Sequence, residues 1–430
     1  MGMIDEARRT VLVVGANGFI GGYIAAALQR AGFRVLRGVR GSGEPHADER
    51  FIDLARMTTP ADWRSTLAGV HIVVNAAGIL RETGAKTFDA IHMRGPLALA
   101  QACVDVGVSR FVQVSALGAP EDGGFIASKH RFDDALLALP LDAVVLRPSV
   151  VYATGGSYGG TSLLRALAAL PGAQWLPGDG AWPIQPIAID DIAEVVVAAC
   201  VADARGVFEI RGPAPMPLSE YQARWRRWLR IPGTRAIHVP ASWISAQVRL
   251  GEWLGNGPVG ETTWRMLRRG NVPREDAHAE LHRAFGVAPR SLDAVLAATP
   301  SQVQDRWHAQ LYFLAPALRW MIVLLWVLSG IAGLVASDTD LRALAGPSAL
   351  GDALPLARAA GVVDLALAAL LAIGWKPRWI LGLMFASVLA YTLVFGIALP
   401  ALWLEPLGGL AKNLLVLPAL AVAWVLVDRR

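Results

Sequence analysis

Three glycines, a lysine and a phenylalanine are the residues from which a chemical reading can start. The stretch GANGFIG holds Gly15, Gly18 and Gly21, after the run TVLVV and before apolar residues at near-helical spacing, Ile20, Ile24, Ala27 and Leu28. One glycine permits a tight turn, one lets backbone approach a diphosphate closely, and one lets helix pack on strand. The helix N-terminus adds free N–H groups and a positive dipole end. A glycine triplet between a strand and a helix is the context a dinucleotide site requires. Its candidate residues are Gly15, Asn17, Gly18, Phe19, Ile20 and Gly21. Further along, GGFIASKH (123–130) carries Lys129, one of four lysines beside 36 arginines. Four residues earlier, on the same helix face, stands Phe125, which can neither give nor take a proton.

The elements around these residues read as alternating strands and helices. The strand RVLRGVR ends in Val39-Arg40, with Arg37 nearby and no acid until Glu44. NAD-preferring enzymes often place a carboxylate there for the ribose 2′-hydroxyl. A guanidinium suits a 2′-phosphate instead, so NADP(H) is the expected cofactor and NAD the alternative. In FIDL (51–54), Asp53 and Leu54 fall where the adenine amino group would lie, or Asp53 caps a helix. HIVVNAAGIL (71–80) is a buried strand ending in small residues, and Ala76, Ala77 and Gly78 leave room for a dinucleotide to cross. SRFVQVSALGA (109–119) is another strand with Ser115 at its end, and LDAVVLRPSVVYATGG (141–156) holds the next. The fold class is α/β with a doubly wound parallel sheet.

These motifs resemble the extended short-chain dehydrogenase/reductases. GANGFIG, NAAG, FVQVSALGA, the SK helix, LRPSVVY and PIQPIAIDDIAEVVVAAC are most similar to the atypical branch related to the accessory NADPH-binding subunit of respiratory complex I. The resemblance runs over about 10–300 and thins after 221. It implies a Rossmann sheet with a small substrate lobe, and catalysis by Ser, Tyr and Lys with the last two spaced Y-x-x-x-K. Ser115 and Lys129 match as catalytic candidates, with Lys129 also holding the cofactor ribose. The tyrosine position is Phe125. General acid–base catalysis contributes about 10²–10⁴-fold, so the usual hydride transfer should be slow or absent. His130 points about 100° away around the helix, and Tyr152 and Tyr158 are stand-ins from a loop. Asp190 and Asp191 could be paired carboxylates, but just before a helix they read as capping and dipole pairing.

Elsewhere the sequence offers little chemistry. Cys103 and Cys200 lack metal spacing and read as buried thiols. His278 and His282 are four apart without a third ligand, so no metal site is expected. RWRRWLR (224–230) reads as a solvated helix face or as attraction to lipid headgroups. No block of basic residues points to nucleic acid, despite a net charge of +5. The N-terminus lacks the order of a signal peptide, so the first domain is expected to stay in the cytoplasm.

The chain is 54% hydrophobic, and the excess lies after residue 311. Four apolar segments, about 311–336, 357–375, 379–403 and 409–427, approach the roughly 20 residues that cross a bilayer. Arg319 can snorkel, and tryptophans at several ends fit an interfacial belt. Asp338, Asp340, Arg342 and Asp352 make one loop negative, while Lys376, Arg378 and Arg429-Arg430 are basic. Both termini are therefore expected in the cytoplasm of a bacterial-type inner membrane. YTLVFGIALPALWLEPLGGLAKN (391–413) with Asp364 resembles the DoxX-like membrane family, which implies a four-helix membrane domain. Asp364 is expected to pair with Lys412 across helices or to serve a proton or quinone site. The expected domains are 8–221, 222–310 and 311–430: a Rossmann domain with part of the substrate lobe, the lobe's completion, and a four-helix membrane domain. Two functions fit. One is a membrane-anchored oxidoreductase acting on a hydrophobic carbonyl or quinone. The other is a silent NADP(H)-binding module of a membrane assembly with membrane-protein partners.

Overall fold

The computed structural model describes residues 9–41, 46–233, 235–253, 260–337, 339, 353–404 and 409–427. The acid-bearing positions Glu44, Asp338, Asp340 and Asp352, with Arg342, Glu405 and 428–430, lie outside them, so the loop-charge expectation has no structural counterpart. The chain divides into two units, Met1–Ala309 and Gln310–Arg430.

In the first unit, β1 (Thr10–Val14), β2 (Arg34–Val39), β3 (Glu49–Phe51), β4 (Ile72–Asn75), β5 (Arg110–Val114) and β6 (Ala143–Pro148) alternate with helices. Four short strands follow: β7 (Val151–Tyr152), β8 (Gln174–Pro177), β9 (Pro183–Ile184) and β10 (Ile187–Ala188). Next come β11 (Gly206–Ile210), β12 (Met216–Pro217) and β13 (Ala236–Val239). The main sheet has seven parallel strands in the order β11-β6-β5-β4-β1-β2-β3. Strand order reverses between β1 and β4, which makes their carboxyl ends the switch point where open α/β sheets bind ligands.

Burial on both faces explains the unbroken apolar strands. Val11 and Val13 pack with α1 (Phe19–Arg30) in one core, while Leu12 and Val14 pack with α2 (Gly95–Val106) and α3 (Gly124–Leu137) in the other. Cys103 and Cys200 are free and buried, and burial pushes the Cys200 thiol up to about 12.

The remaining helices of this unit are α4 (Gly160–Ala168), α5 (Ile189–Ala199), α6 (Leu218–Trp228), α7 (Ala241–Trp253), α8 (Glu261–Arg269), α9 (Ala277–Phe285) and α10 (Leu292–Ala298). A separate core gathers Tyr152, Ile184, Leu218, Tyr221, Trp225 and Leu292. Two expectations hold only in part in this region. RWRRWLR is solvated along one side, where Arg227 and Arg230 are exposed, but Trp225 and Arg226 are 1% and 3% exposed. Arg226 donates to Ala168 O (3.1 Å), Leu170 O (2.6 Å), Pro232 O (2.6 Å) and Gly233 O (2.8 Å), fastening two turns to α6. Asp190 and Asp191 lie in the first turn of α5, where they suit its dipole, but no side chain caps the helix. Asp191 accepts the Arg290 N–H (2.7 Å) and guanidinium (2.7 Å), clasping the chain just before α10.

α11 (Val303–Val335) starts in the first unit and continues into the second, followed by α12 (Ala353–Ile373), α13 (Pro377–Ala398) and α14 (Asn413–Leu426). Two of these, α11 and α13, are long and apolar enough to cross a membrane. Ile322, Trp326, Leu371, Met384 and Leu420 form the second unit's core. Glycines bring α11 and α12 together: a Cβ on Gly330 would lie 2.8 Å from Gly361 O. Asp364 makes no ion pair with Lys412 among the described residues; it accepts the Ser329 hydroxyl (2.7 Å) across α11 and α12. Arg319 is held at the end of a neighbouring helix. Its guanidinium donates to Leu371 O (3.2 Å) and Ala372 O (3.0 Å), where α12 runs out of partners for its carbonyls.

Arg226 holds four carbonyls and makes no ion pair among the described residues. Replacing it as Arg226→Met leaves them buried and unpaired, and should destabilise the first unit by about 3 kcal/mol or more. Urea unfolding followed by tryptophan fluorescence checks this; a change under about 1 kcal/mol would show the carbonyls rehydrate freely.

Candidate functional site

The turn after β1 is built so that no side chain fits inside it. Gly15 has φ +82°, and a Cβ there would lie 2.9 Å from Ala77 Cα. Gly18 N–H donates to Gly15 O (2.8 Å), and a Cβ on Gly21 would overlap that same oxygen. Gly38 O accepts from Gly15 N–H (3.2 Å) and Ala16 N–H (3.3 Å), tying the turn to β2. α1 then starts at Phe19 with no side-chain cap and no acid in its first turn. The first-turn N–H groups of Phe19, Ile20 and Gly21 are thus left to an anion, and a diphosphate has the right charge.

The opposite wall is the segment after β4. Asn75 is buried, donates to Gln113 Oε1 (2.8 Å) and accepts the Ala77 N–H (3.2 Å), which shapes the turn through Ala76 and Ala77 to the exposed Gly78. Asp53 is exposed; its carboxylate accepts the Ala55 N–H (3.1 Å), a local turn rather than a helix cap, while Leu54 is buried. Arg40 is exposed just past β2, and Asn17 is exposed in the turn.

Lys129 and Phe125 lie on α3 as expected, but their neighbours were not foreseen. Lys129 is 6% exposed, donates to Val114 O (3.1 Å), and its Nζ lies 3.4 Å from where a Cβ of Gly78 would be. Burial pulls its pKa down to about 8, partly opposed by Asp133. Phe125 sits in an aromatic corner, with ring centroids 5.5 Å from His92 and 6.3 Å from Phe88, and Lys129 Nζ 5.9 Å from its own. His92 accepts the Ile79 N–H at Nε2 (3.0 Å), so Nδ1 carries the proton and donates to Ser128 Oγ (2.8 Å). Ser128 in turn donates to Phe125 O (3.0 Å). Burial, then the Lys129 charge, holds the His92 pKa down to about 2, so the ring stays neutral.

Ser115 donates to buried Asp133 Oδ2 (2.7 Å), which also pairs with Arg147 (2.9 Å). Burial pushes the Asp133 carboxyl up, while Ser115 and Arg147 pull it back. The Ser115 hydroxyl is therefore committed to a carboxylate rather than to local backbone. His130 bonds to Ala116 O (3.0 Å). Tyr152 is no stand-in for the tyrosine, because it is 1% exposed and packed edge-on against Trp225 in the lobe core. Tyr158 is half exposed and stacks on Phe19 with centroids 6.1 Å apart.

The loop that carries Tyr158 is held from behind. Arg165 is 3% exposed and lies 5.0 Å from the ring centroids of both Trp225 and Trp228. It donates to Thr154 O (3.2 Å) and Gly156 O (3.1 Å) and pairs with Asp305 (3.2 Å). A Cβ on Gly155 would lie 3.2 Å from Tyr23 Oη, so this loop presses on α1. Sequence reading missed His92, Ser128, Asp133, Arg147 and Arg165. Only the i, i+4 spacing of Lys129 and Asp133 on one helix face could have flagged any of them. Among the described residues no His, Cys, Asp or Glu cluster could hold a metal.

Residues 11–210 match the NAD dependent epimerase/dehydratase family, and residues 323–424 match the DoxX-like family. The chain joins an epimerase-type Rossmann domain to a DoxX-like domain. Curated proteins similar to this chain include the following three. Ceramide reductase of Caulobacter vibrioides is 28% identical over 214 residues, 48% of this chain and 66% of that protein. The NADH dehydrogenase [ubiquinone] 1 alpha subcomplex subunit 9 of Arabidopsis thaliana is 28% identical over 245 residues, 51% and 60% of the two chains. Divinyl chlorophyllide a 8-vinyl-reductase of Zea mays is 30% identical over 273 residues, 57% and 65%. The chain thus spans 60–66% of the length of these relatives. Crystal structures share the fold of the epimerase-type domain. Gox2253 has a TM-score of 0.53 at 20% identity, covering 70% of this chain and 99% of that one. Human epimerase family protein SDR39U1, solved with NADPH, has 0.52 at 21%, covering 67% and 98%. The glycine turn, the open helix end and the cleared edge of β4 fit an NAD(P) diphosphate at this domain's switch point.

Lys129 gives a pH test with two opposite signs. Its amine has a pKa of about 8 when folded against 10.5 as the reference value, so between these the unfolded chain binds more protons and stability rises with pH. NADPH affinity should fall over the start of that window, as the amine loses its charge. Lys129→Met should remove both trends, which titrations of affinity and melting temperature at several pH values would read. An unchanged affinity profile in that variant would place another group at the ribose.

Proposed function

We propose that this chain is a membrane-anchored NADP(H)-dependent reductase acting on a hydrophobic carbonyl or quinone that reaches the site from the bilayer. The observation that carries this reading is the buried Lys129 amine, set beside Gly78 at the switch point where a dinucleotide crosses. A buried ammonium is costly, and Val114 O and Asp133 offset that cost only in part, so a bound ribose hydroxyl would stabilise it further. After its bond to Val114 O, Lys129 retains two N–H donors for the cofactor ribose. The reduced nicotinamide would supply a hydride to the acceptor.

The residues around that edge exclude water and bind apolar groups. Phe125, Phe88 and the exposed Leu80 line the approach, and Tyr158 stacked on Phe19 covers the turn. Phe125 gives shape without a proton, so the reduced oxygen is protonated from water or from the Lys129 ammonium. Ser115 serves Asp133, which positions it against β5 rather than as a free donor. Names among the similar proteins support an apolar substrate: a ceramide and a chlorophyllide. The DoxX-like match and the two long apolar helices support a membrane location. Four crossings, with the nucleotide domain and both termini in the cytoplasm of an inner membrane, complete this reading. The domain limits 8–221, 222–310 and 311–430 belong to the same proposal.

Phe125 and the similarity to a subunit 9 favour a second reading, a catalytically silent NADP(H)-binding module with membrane-protein partners. NADPH oxidation by the detergent-solubilised chain, with quinones and long-chain carbonyls as acceptors, separates the two. The reductase reading predicts turnover by the wild type, loss in Lys129→Met, and a gain of about tenfold or more in Phe125→Tyr. NADPH binding without wild-type turnover, and activity only in Phe125→Tyr, would leave the silent module.

A further inference from the structure

We propose that Arg37, braced by Asn17, is the residue that recognises the 2′-phosphate of NADP(H), with Arg40 contributing little. This inference rests on the NADP(H) reading above and names the side chain that would set the preference. Arg37 lies on β2 with the parity of Val35, which packs in the α1-side core. That parity sends it toward the glycine turn. Its Nη2 donates to Asn17 Oδ1 (2.8 Å), inside the GANGFIG loop itself.

Nothing among the described residues neutralises this guanidinium. Its register partner on β3 is Glu49, but that carboxylate turns to the His46 N–H (3.4 Å) and makes no ion pair with Arg37. The Arg37 Nε is buried and has no acceptor. A half-buried cation with a donor unused is unfavourable as it stands, and an anion would relieve it. The anion must be small and must sit beside the diphosphate turn, on the β2 side. A phosphomonoester at the adenosine ribose meets both conditions, and a neutral 2′-hydroxyl does not supply the charge.

Arg40 meets fewer of them. It is exposed beyond the strand end, with no hydrogen bond or ion pair to another described residue. Fixing so free a side chain costs rotamer entropy that Arg37, already held by Asn17, does not lose. Guanidinium also matches phosphate with paired donors, which an ammonium cannot reproduce.

The test is the binding of NADPH and NADH to the full chain in detergent, read by nicotinamide fluorescence. Arg37→Gln should weaken NADPH by about tenfold or more and leave NADH within about twofold. Arg37→Lys should recover part of the loss. Asn17→Ala leaves the strand untouched and frees the guanidinium; it should weaken NADPH by about threefold and NADH less. Arg40→Gln should change either cofactor by under about threefold. An unchanged NADPH-to-NADH ratio in Arg37→Gln, equal weakening of both, or loss carried by Arg40→Gln would overturn the assignment while leaving NADP(H) preference intact. A wild type that favours NADH would remove that preference and this assignment together.

Discussion

Close contact between two backbones, the turn after β1 and the segment after β4, sets the conditions for everything else in the nucleotide domain. Gly15 meets Ala77 at a distance no Cβ tolerates, and Gly21 rests on Gly15 O. The contact clears the carboxyl edge of the sheet and leaves the first turn of α1 open. A helix end with no acid and no cap would be a defect in a purely structural element. It becomes an asset only when an anion sits on it. Large cores on both faces of the sheet supply the stability that lets this edge stay unfilled.

Around that edge the protein holds charges it could have avoided. Lys129 is buried against a carbonyl, His92 is buried and neutral, and Asp133 is buried with Ser115 and Arg147. These groups link β5, α3 and the chain after β4 into one unit, so the ribose end of a dinucleotide would meet a rigid surface. Arg165 does the same for the covering loop, joining Thr154 and Gly156 to Asp305 between two indoles. Phe125 stands among these groups as a ring without a hydroxyl. The arrangement suits binding, and no tyrosine hydroxyl stands at that position.

Much of the fold was legible because its signals are local. A β-branched run, a glycine turn and a helical period lie within 31 residues, and they form β1, the turn, α1 and β2 as read. The doubly wound sheet and the DoxX-like segment followed from motifs of the same kind. What escaped depends on distance in sequence. His92 meets Ser128 across 36 positions, Asp191 meets Arg290 across 99, and Arg165 meets Asp305 across 140. No periodicity reports such contacts. RWRRWLR misled only at Arg226, for a different reason: an arginine that serves carbonyls looks the same in sequence as one that faces water, as Arg227 does. The Asp364–Lys412 pairing did not form, and Ser329, on the neighbouring helix, donates to the carboxylate instead.

The central claim is that the glycine turn grips a nicotinamide dinucleotide across the switch point. Titration calorimetry on the purified chain addresses it directly, without requiring turnover or knowledge of the substrate. The account predicts saturable heat with NADPH at one site per chain, lost in Gly21→Val, where the added side chain would drive into Gly15 O. No heat with NADPH, NADP⁺, NADH or NAD⁺ from a folded sample would contradict it.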